Sequence, residues 1–264
     1  MKKIIFTVVV LVLLVAFGVS AFMVGKYLVD GKKQDALNDE LSAIVSGQQT
    51  TEAPETTAGT EASAAETVPA APGMLAGYRE IYEMNNHTVG WIKIEGTQID
   101  YPVMQTPEEP NYYLNRNFNK EDNVNGSIYA REVCSIDGPS DNVTIYGHNM
   151  ASGKMFAELH KYTTKSAWDN NSLIFFDTLY EYHTYKIFAV FQTSANLGQG
   201  FSYHQFVDAE TPAEFDEFVA TCKKLAFYDT GITPVYGDKL ITLSTCTGPS
   251  ENNNRLVVVA MRIT

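Results

Sequence analysis

Residues 239–263 read KLITLSTCTGPSENNNRLVVVAMRI. The first apolar run alternates, with Ile241 and Leu243 on one side and Thr242, Ser244 and Cys246 on the other, the period of a half-buried strand. The second run, opened by Arg255, is almost wholly aliphatic. Between them Thr247 to Asn254 form a polar connection with one glycine and one proline. Two such strands joined by a short loop pair as an antiparallel hairpin, and Cys246 and Arg255 then share one end of a sheet.

Working outward, similar runs rich in β-branched and aromatic residues occupy 89–94, 99–103, 126–130, 143–147, 173–177 and 182–193. With 239–245 and 256–263 they make eight strands separated by Asn, Gly and Pro turns. The fold class is mainly β, a closed barrel or sandwich. Helices interrupt it. Met74, Leu75, Tyr78, Ile81 and Tyr82 recur at helical spacing, and a second helix is expected over 154–162. A third is marked by Thr211, Pro212 and Glu214 as cap, first-turn proline and capping acid, with Phe215, Phe218, Val219, Cys222 and Leu225 on its apolar face.

The amino-terminal side has a different character. Residues 4–25, IIFTVVVLVLLVAFGVSAFMVG, carry no charge and span about 33 Å as a helix against a hydrocarbon core of about 30 Å. They read as an uncleaved membrane anchor behind a three-residue tail. The competing reading is a signal peptide cut near Val19-Ser20-Ala21. The lysines flanking this segment do not decide its orientation. Residues 34–45 have helical spacing, and 47–73 are mostly Thr, Ala, Glu and Pro, a composition too poor in apolar surface to repay ordering. The expected organisation is therefore tail 1–3, anchor 4–25, juxtamembrane helix and stalk 26–73, and folded domain 74–264.

A net charge of −12, from 19 basic and 31 acidic residues, repels polyphosphate and argues against nucleic acid as a partner. Three cysteines without a CxxC pair make neither a disulfide framework nor a zinc site. Residues 121–132 match a calcium loop poorly and read as an Asn-rich turn. No metal or cofactor is expected.

Cys246 is the cysteine with chemical promise. A free thiol with a pKa of about 8.5 is only a few per cent thiolate at pH 7 and needs a basic or cationic neighbour. The strand 143–147 delivers His148 at its end, with Thr144 and Tyr146 on the same face; that histidine can take a proton and return it to a leaving amine. Arg255 is permanently charged and suited to a developing oxyanion. Cys222 reads as a core residue and Cys134 as an incidental thiol. His87, His160, His183 and His204 read as structural.

The set Thr242-Leu243-Ser244-Thr245-Cys246, with Arg255 nine positions on and Tyr146-Gly147-His148-Asn149 upstream, resembles a sortase. The amphipathic helix at 74–84, NYYLNRNF at 111–118 and the helix-bearing insertion before the seventh strand resemble class B. The resemblance implies a sortase-type eight-stranded barrel and a membrane-anchored cysteine transpeptidase of a Gram-positive bacterium, with its catalytic domain outside the cell. Such an enzyme cuts a C-terminal sorting motif of a secreted protein after threonine, holds the fragment as a thioester, and passes it to an amine of a cell-wall precursor or a pilin. Carried over by position, Cys246 is the nucleophile, His148 the general acid and base, and Arg255 the oxyanion stabiliser. Leu114, Tyr146, Ser244 and Thr245 line the motif groove. Asn253 stands where several class B members carry an acidic residue. Two other readings remain open: a cysteine peptidase that only hydrolyses, and an anchored β-barrel that only binds.

Overall fold

The computed structural model describes residues 2–49, 73–196, 198–248 and 253–264. The chain divides into two units, Met1–Glu40 and Leu41–Thr264. α1 (Lys2–Gln49) is one helix, so the helical spacing at 34–45 belongs to its C-terminal part rather than to a separate element. By length and composition its apolar stretch is long enough to cross a membrane, and side chains such as Leu11, Leu14 and Phe17 are exposed along it. The expected stalk lies outside the described residues except at its two ends.

In the second unit α2 (Ala76–Met84) precedes eight strands: β1 (Thr88–Lys93), β2 (Asp100–Met104), β3 (Ile128–Ala130), β4 (Asn142–Tyr146), β5 (Leu173–Thr178), β6 (Thr184–Ser194), β7 (Leu240–Cys246) and β8 (Asn254–Arg262). All eight fall on the expected runs. They close into a barrel in the order β1-β2-β3-β4-β7-β8-β6-β5, and β5 pairs back on β1. The barrel is therefore the correct member of the barrel-or-sandwich pair. Its β2–β3 and β4–β7 pairs are parallel and the others antiparallel.

Alternation sorts the side chains of β7 and β8 into two environments. Ile241, Leu243, Leu256 and Val258 fill the barrel interior with Ile92, Val103 and Ile145. Leu240, Val257 and Val259 face outward and are covered by Phe215, Phe218, Val219 and Cys222 of α4 (Pro212–Leu225). Each large apolar side chain so buried contributes about 1.5–3 kcal/mol. α4 begins as expected, the Thr211 hydroxyl accepting from the Glu214 amide at 3.4 Å. The Glu214 carboxylate, however, accepts from the Glu210 amide, one residue before the cap, rather than from Thr211 itself. Leu225, expected on the apolar face, is exposed.

Two local expectations change. Over 154–162 the chain forms a 3-10 turn, Ala157–Thr163, followed by the short α3 (Lys165–Asn170). The Thr163 and Thr164 hydroxyls donate to the carbonyls of His160 and Lys161, three residues back, and so compete with the α-helical ladder. β3 starts at Ile128 rather than 126 because Gly126, with φ +58°, closes a turn on the Asn123 carbonyl. Asn123 itself accepts from the Asn125 amide, as in an Asx turn.

Gly147 continues β4 where no side chain fits. A Cβ there would lie 2.5 Å from Ile128 Cδ1 and 2.7 Å from the Phe156 ring, both in the core. Gly147→Ala should destabilise the domain by about 1–3 kcal/mol, the usual cost of overpacking. Urea unfolding of the parent and variant measures it, and an unchanged midpoint would mean that the packing here is slack.

Candidate active site

β4 and β7 run parallel, with Thr144 opposite Thr242 and Tyr146 opposite Ser244. The Gly147 amide donates to the Ser244 carbonyl at 3.2 Å, the last rung of this ladder. Because the strands are parallel, both end on the same rim of the barrel, where His148 follows Gly147 and Cys246 is the last residue of β7. β8 runs antiparallel to β7 and places Arg255 directly opposite Cys246. The Thr247 amide donates to the Asn254 carbonyl at 3.1 Å. Cys246 and Arg255 therefore form a non-hydrogen-bonded pair, the closer kind, with Cα atoms about 4.5 Å apart. By alternation all three residues lie on the outer face, at the end that α4 leaves uncovered. The structure thus brings together the three residues expected to carry the chemistry.

His148 is held by a backbone atom. Its Nε2 lies 2.7 Å from the Leu114 carbonyl oxygen, and a ring nitrogen there must carry a hydrogen and donate it. The tautomer is fixed, and proton exchange falls to Nδ1. The Leu114 carbonyl belongs to a 3-10 turn, Tyr112–Asn115, which is itself well anchored. Tyr113 is fully buried, and its hydroxyl accepts from Asn85 Nδ2 at 2.8 Å. Gly126 packs so closely on this turn that a Cβ would fall 2.4 Å from the Leu114 oxygen.

Three tyrosines surround the rim. The rings of Tyr129 and Tyr146 tilt against each other at 5.4 Å. Tyr129 donates to Asn111 Oδ1 at 3.0 Å, and the Tyr203 hydroxyl is 2.6 Å from Ser244 Oγ. Burial, seconded by Glu132, pushes the Tyr129 phenol well above its ordinary value, while Arg255 pulls it down. Tyr203 is raised by burial against opposing effects of Ser244 and Arg255. Tyr129 and Tyr203 therefore stay protonated beside Arg255, Tyr129 as a donor to Asn111, while either hydroxyl of the Tyr203–Ser244 pair can donate to the other.

Of the four residues expected to line a groove, Leu114 is 38% exposed and Tyr146 partly so. Ser244 and Thr245 are each only 2% exposed. Ser244 lies under Tyr203, and Thr245 shares the register of Leu243, so it points into the barrel. Its hydroxyl is the one buried side-chain polar atom among the described residues without a hydrogen-bond partner.

Sequence reasoning missed several contributors. Asn149 Nδ2 and His160 Nε2 both approach the Cys246 carbonyl, at 3.0 and 3.1 Å. The Leu114 contribution is a backbone carbonyl, which has no signature in residue type. Tyr203 and His160 reach the site from segments far along the chain, and only the adjacency of Asn149 to His148 was visible beforehand.

The sortase domain pattern matches residues 92–263. The chain belongs to the sortase family. Sortase B of Listeria monocytogenes is 30% identical over 189 residues, covering 70% of this chain and 74% of that protein. Sortase B from Bacillus anthracis, solved in complex with AAEK1, superposes with a TM-score of 0.71 at 25% identity over 90% of this chain and 99% of that one. A Staphylococcus aureus sortase B–substrate complex shares the fold, with a TM-score of 0.75 at 24% identity over 89% and 99% of the two chains. The class B resemblance is thereby shown, and so is the enzyme class, because sortases are cysteine transpeptidases.

The turn that orients His148 gives a test away from the reacting atoms. Gly126→Ala should displace the Leu114 carbonyl and release the imidazole, lowering transpeptidation about tenfold or more. Nitrogen NMR of the parent's neutral His148 should show the Nε2–H tautomer, and the variant should show a mixture. An Nδ1–H form in the parent would contradict the assigned geometry.

Proposed function

We propose that this sortase is a single-pass membrane enzyme whose domain faces the cell exterior, where it cuts a C-terminal sorting motif of secreted proteins after threonine and transfers the fragment to an amine. The observation that carries this reading is the convergence of Cys246, Arg255 and His148 on one exposed rim. The apolar helix α1 supports the membrane assignment.

The placement of these three residues supports the following chemistry. The thiolate sulfur of Cys246 adds to the threonine carbonyl carbon, and the carbonyl π electrons move onto oxygen. The Arg255 guanidinium meets that oxyanion. The Thr247 amide, already donating to Asn254, is not free to share this task. His148 gives its Nδ1 proton to the nitrogen of the scissile bond, the C–N bond breaks, and a thioester and a free amine result. An incoming amine then attacks the thioester, loses a proton to His148 and expels the thiolate. The acceptor is an amine of a cell-wall precursor or of a pilin. Leu114 and Tyr146 border the path to Cys246 and are the proposed contacts for the motif. Ser244 and Thr245 belong to the same proposed groove, and act through the backbone positions their buried side chains fix.

Incubating the detergent-solubilised full chain with a threonine-containing sorting peptide should give a Cys246 thioester by intact mass, and added amine should convert it to amide. Cys246→Ala should give no adduct, and capture surviving that change would overturn the assignment. Free acid alone, even with amine present, would instead mark a peptidase. Arg255→Ala should lower kcat about 10²–10³-fold, the usual loss of an oxyanion donor. Arg255→Lys should recover little, because an ammonium lacks the planar fork.

A further inference from the structure

Beyond its last backbone rung, the β4–β7 ladder needs one more donor. Carbonyls two residues apart on a strand point to the same edge, so the Cys246 carbonyl faces the β4 side just as that of Ser244 does. Gly147 supplies an amide to Ser244. For Cys246 the donors are instead side chains. Asn149 Nδ2 lies 3.0 Å from this oxygen and His160 Nε2 lies 3.1 Å from it, with 3.2 Å between the two nitrogens. A bare imidazole lone pair facing a carbonyl oxygen would be repelled, so Nε2 carries a hydrogen and both groups donate to one oxygen.

His160 is itself rigidly placed. It sits in the 3-10 turn Ala157–Thr163, its carbonyl accepts from the Thr163 hydroxyl, and its neighbour Leu159 is fully buried. The residue that opens this turn, Phe156, donates its amide to the His148 carbonyl at 2.9 Å. Phe156 is also fully buried, against Gly147. One short core-anchored segment therefore grips the main chain of the general base at one end and that of the nucleophile at the other.

We infer that the segment from Phe156 to His160 is a brace that sets the spacing of His148 and Cys246, with His160 and Asn149 as positioning residues acting through the Cys246 carbonyl. The two donors fix the peptide plane that follows Cys246 and hence the direction of its Cα–Cβ bond. They also neutralise a carbonyl dipole whose negative end would otherwise lie unpaired beside a sulfur that must become anionic. Neither residue touches the reacting atoms. The inference deepens the transpeptidase reading, but its first readout, the intrinsic reactivity of Cys246, needs no sorting peptide.

The test compares the full chain with His160→Leu, His160→Gln, Asn149→Ala and the His160→Leu/Asn149→Ala pair. Iodoacetamide labelling is followed at Cys246 by peptide mass, which separates it from the buried Cys134 and Cys222. Transpeptidation supplies kcat and KM. His160→Leu should slow labelling about tenfold and lower kcat about as much with KM for the peptide unchanged, since misplacement of reacting groups by about 1 Å costs up to about a hundredfold. Asn149→Ala should do the same to a smaller degree, and the pair should approach a hundredfold. His160→Gln, whose amide nitrogen can replace Nε2–H, should recover most of the loss. If His160→Leu does not fold, the Gln and Asn149 variants carry the decision. Parent-like labelling and kcat in the folded variants would overturn the inference, as would a Gln variant no better than Leu. A chain that fails to transfer peptides yet shows these labelling differences would refute the transpeptidase reading and keep the brace.

Discussion

The parallel pairing of β4 with β7 is the constraint on which the site depends. Had these strands been antiparallel, the ends bearing His148 and Cys246 would lie on opposite rims of the barrel. Parallel neighbours require a long crossover, and here the connection runs from Gly147 to Lys239 and carries α3, β5, β6 and α4. That crossover is used fully. α4 covers the outer face of β7 and β8, Tyr203 covers Ser244, and the turn at 157–163 reaches back to the Cys246 carbonyl. What looks in sequence like a helix-bearing insertion is the cover that makes two central strands buried on both faces.

Double burial explains the polar residues of TLSTC. On the outer face Thr242 donates to Asn142 Oδ1 at 2.8 Å, and Asn142 Nδ2 in turn donates to the Phe206 carbonyl at 2.9 Å. A buried hydroxyl or amide left unpaired costs about 1–3 kcal/mol, so this chain of bonds ties β4, β7 and the insertion into a single register. A one-residue slip of β7 would turn Cys246 into the aliphatic interior and Thr245 onto the rim. The network therefore protects the placement of Cys246 as much as the stability of the strand.

The strands were legible because their signal is local: β-branched runs, alternation and Asn/Gly turns survive without knowledge of neighbours. The Cys246–Arg255 pairing was legible too, since a single hairpin fixes it. Strand order was not, because nothing in the composition of β4 says that it lies beside β7. Nor was the hold on His148, which comes from a carbonyl and so from any residue type. His160 reads as structural in sequence because its partner Cys246 is 86 residues away and the contact is again a backbone oxygen. Motif position puts Ser244 and Thr245 along the groove but does not reveal that burial on both faces of β7 leaves each only 2% exposed.

The three cysteines show why the rim, and not the barrel interior, is the place for this thiol. Cys222 lies wholly inside the α4 core, and burial pushes its pKa far up, so it stays a neutral, inert packing residue. Cys134 is raised by burial as well, opposed by a backbone hydrogen bond and by Arg131. Cys246 differs by standing partly exposed at the last residue of a strand. There it combines the rigidity of the ladder with a partly exposed side chain. A loop cysteine would have the room without the rigidity, and a mid-strand cysteine the reverse. The strand terminus supplies both only if its last carbonyl is capped, and in this chain that cap comes from Asn149 and His160 instead of from another strand.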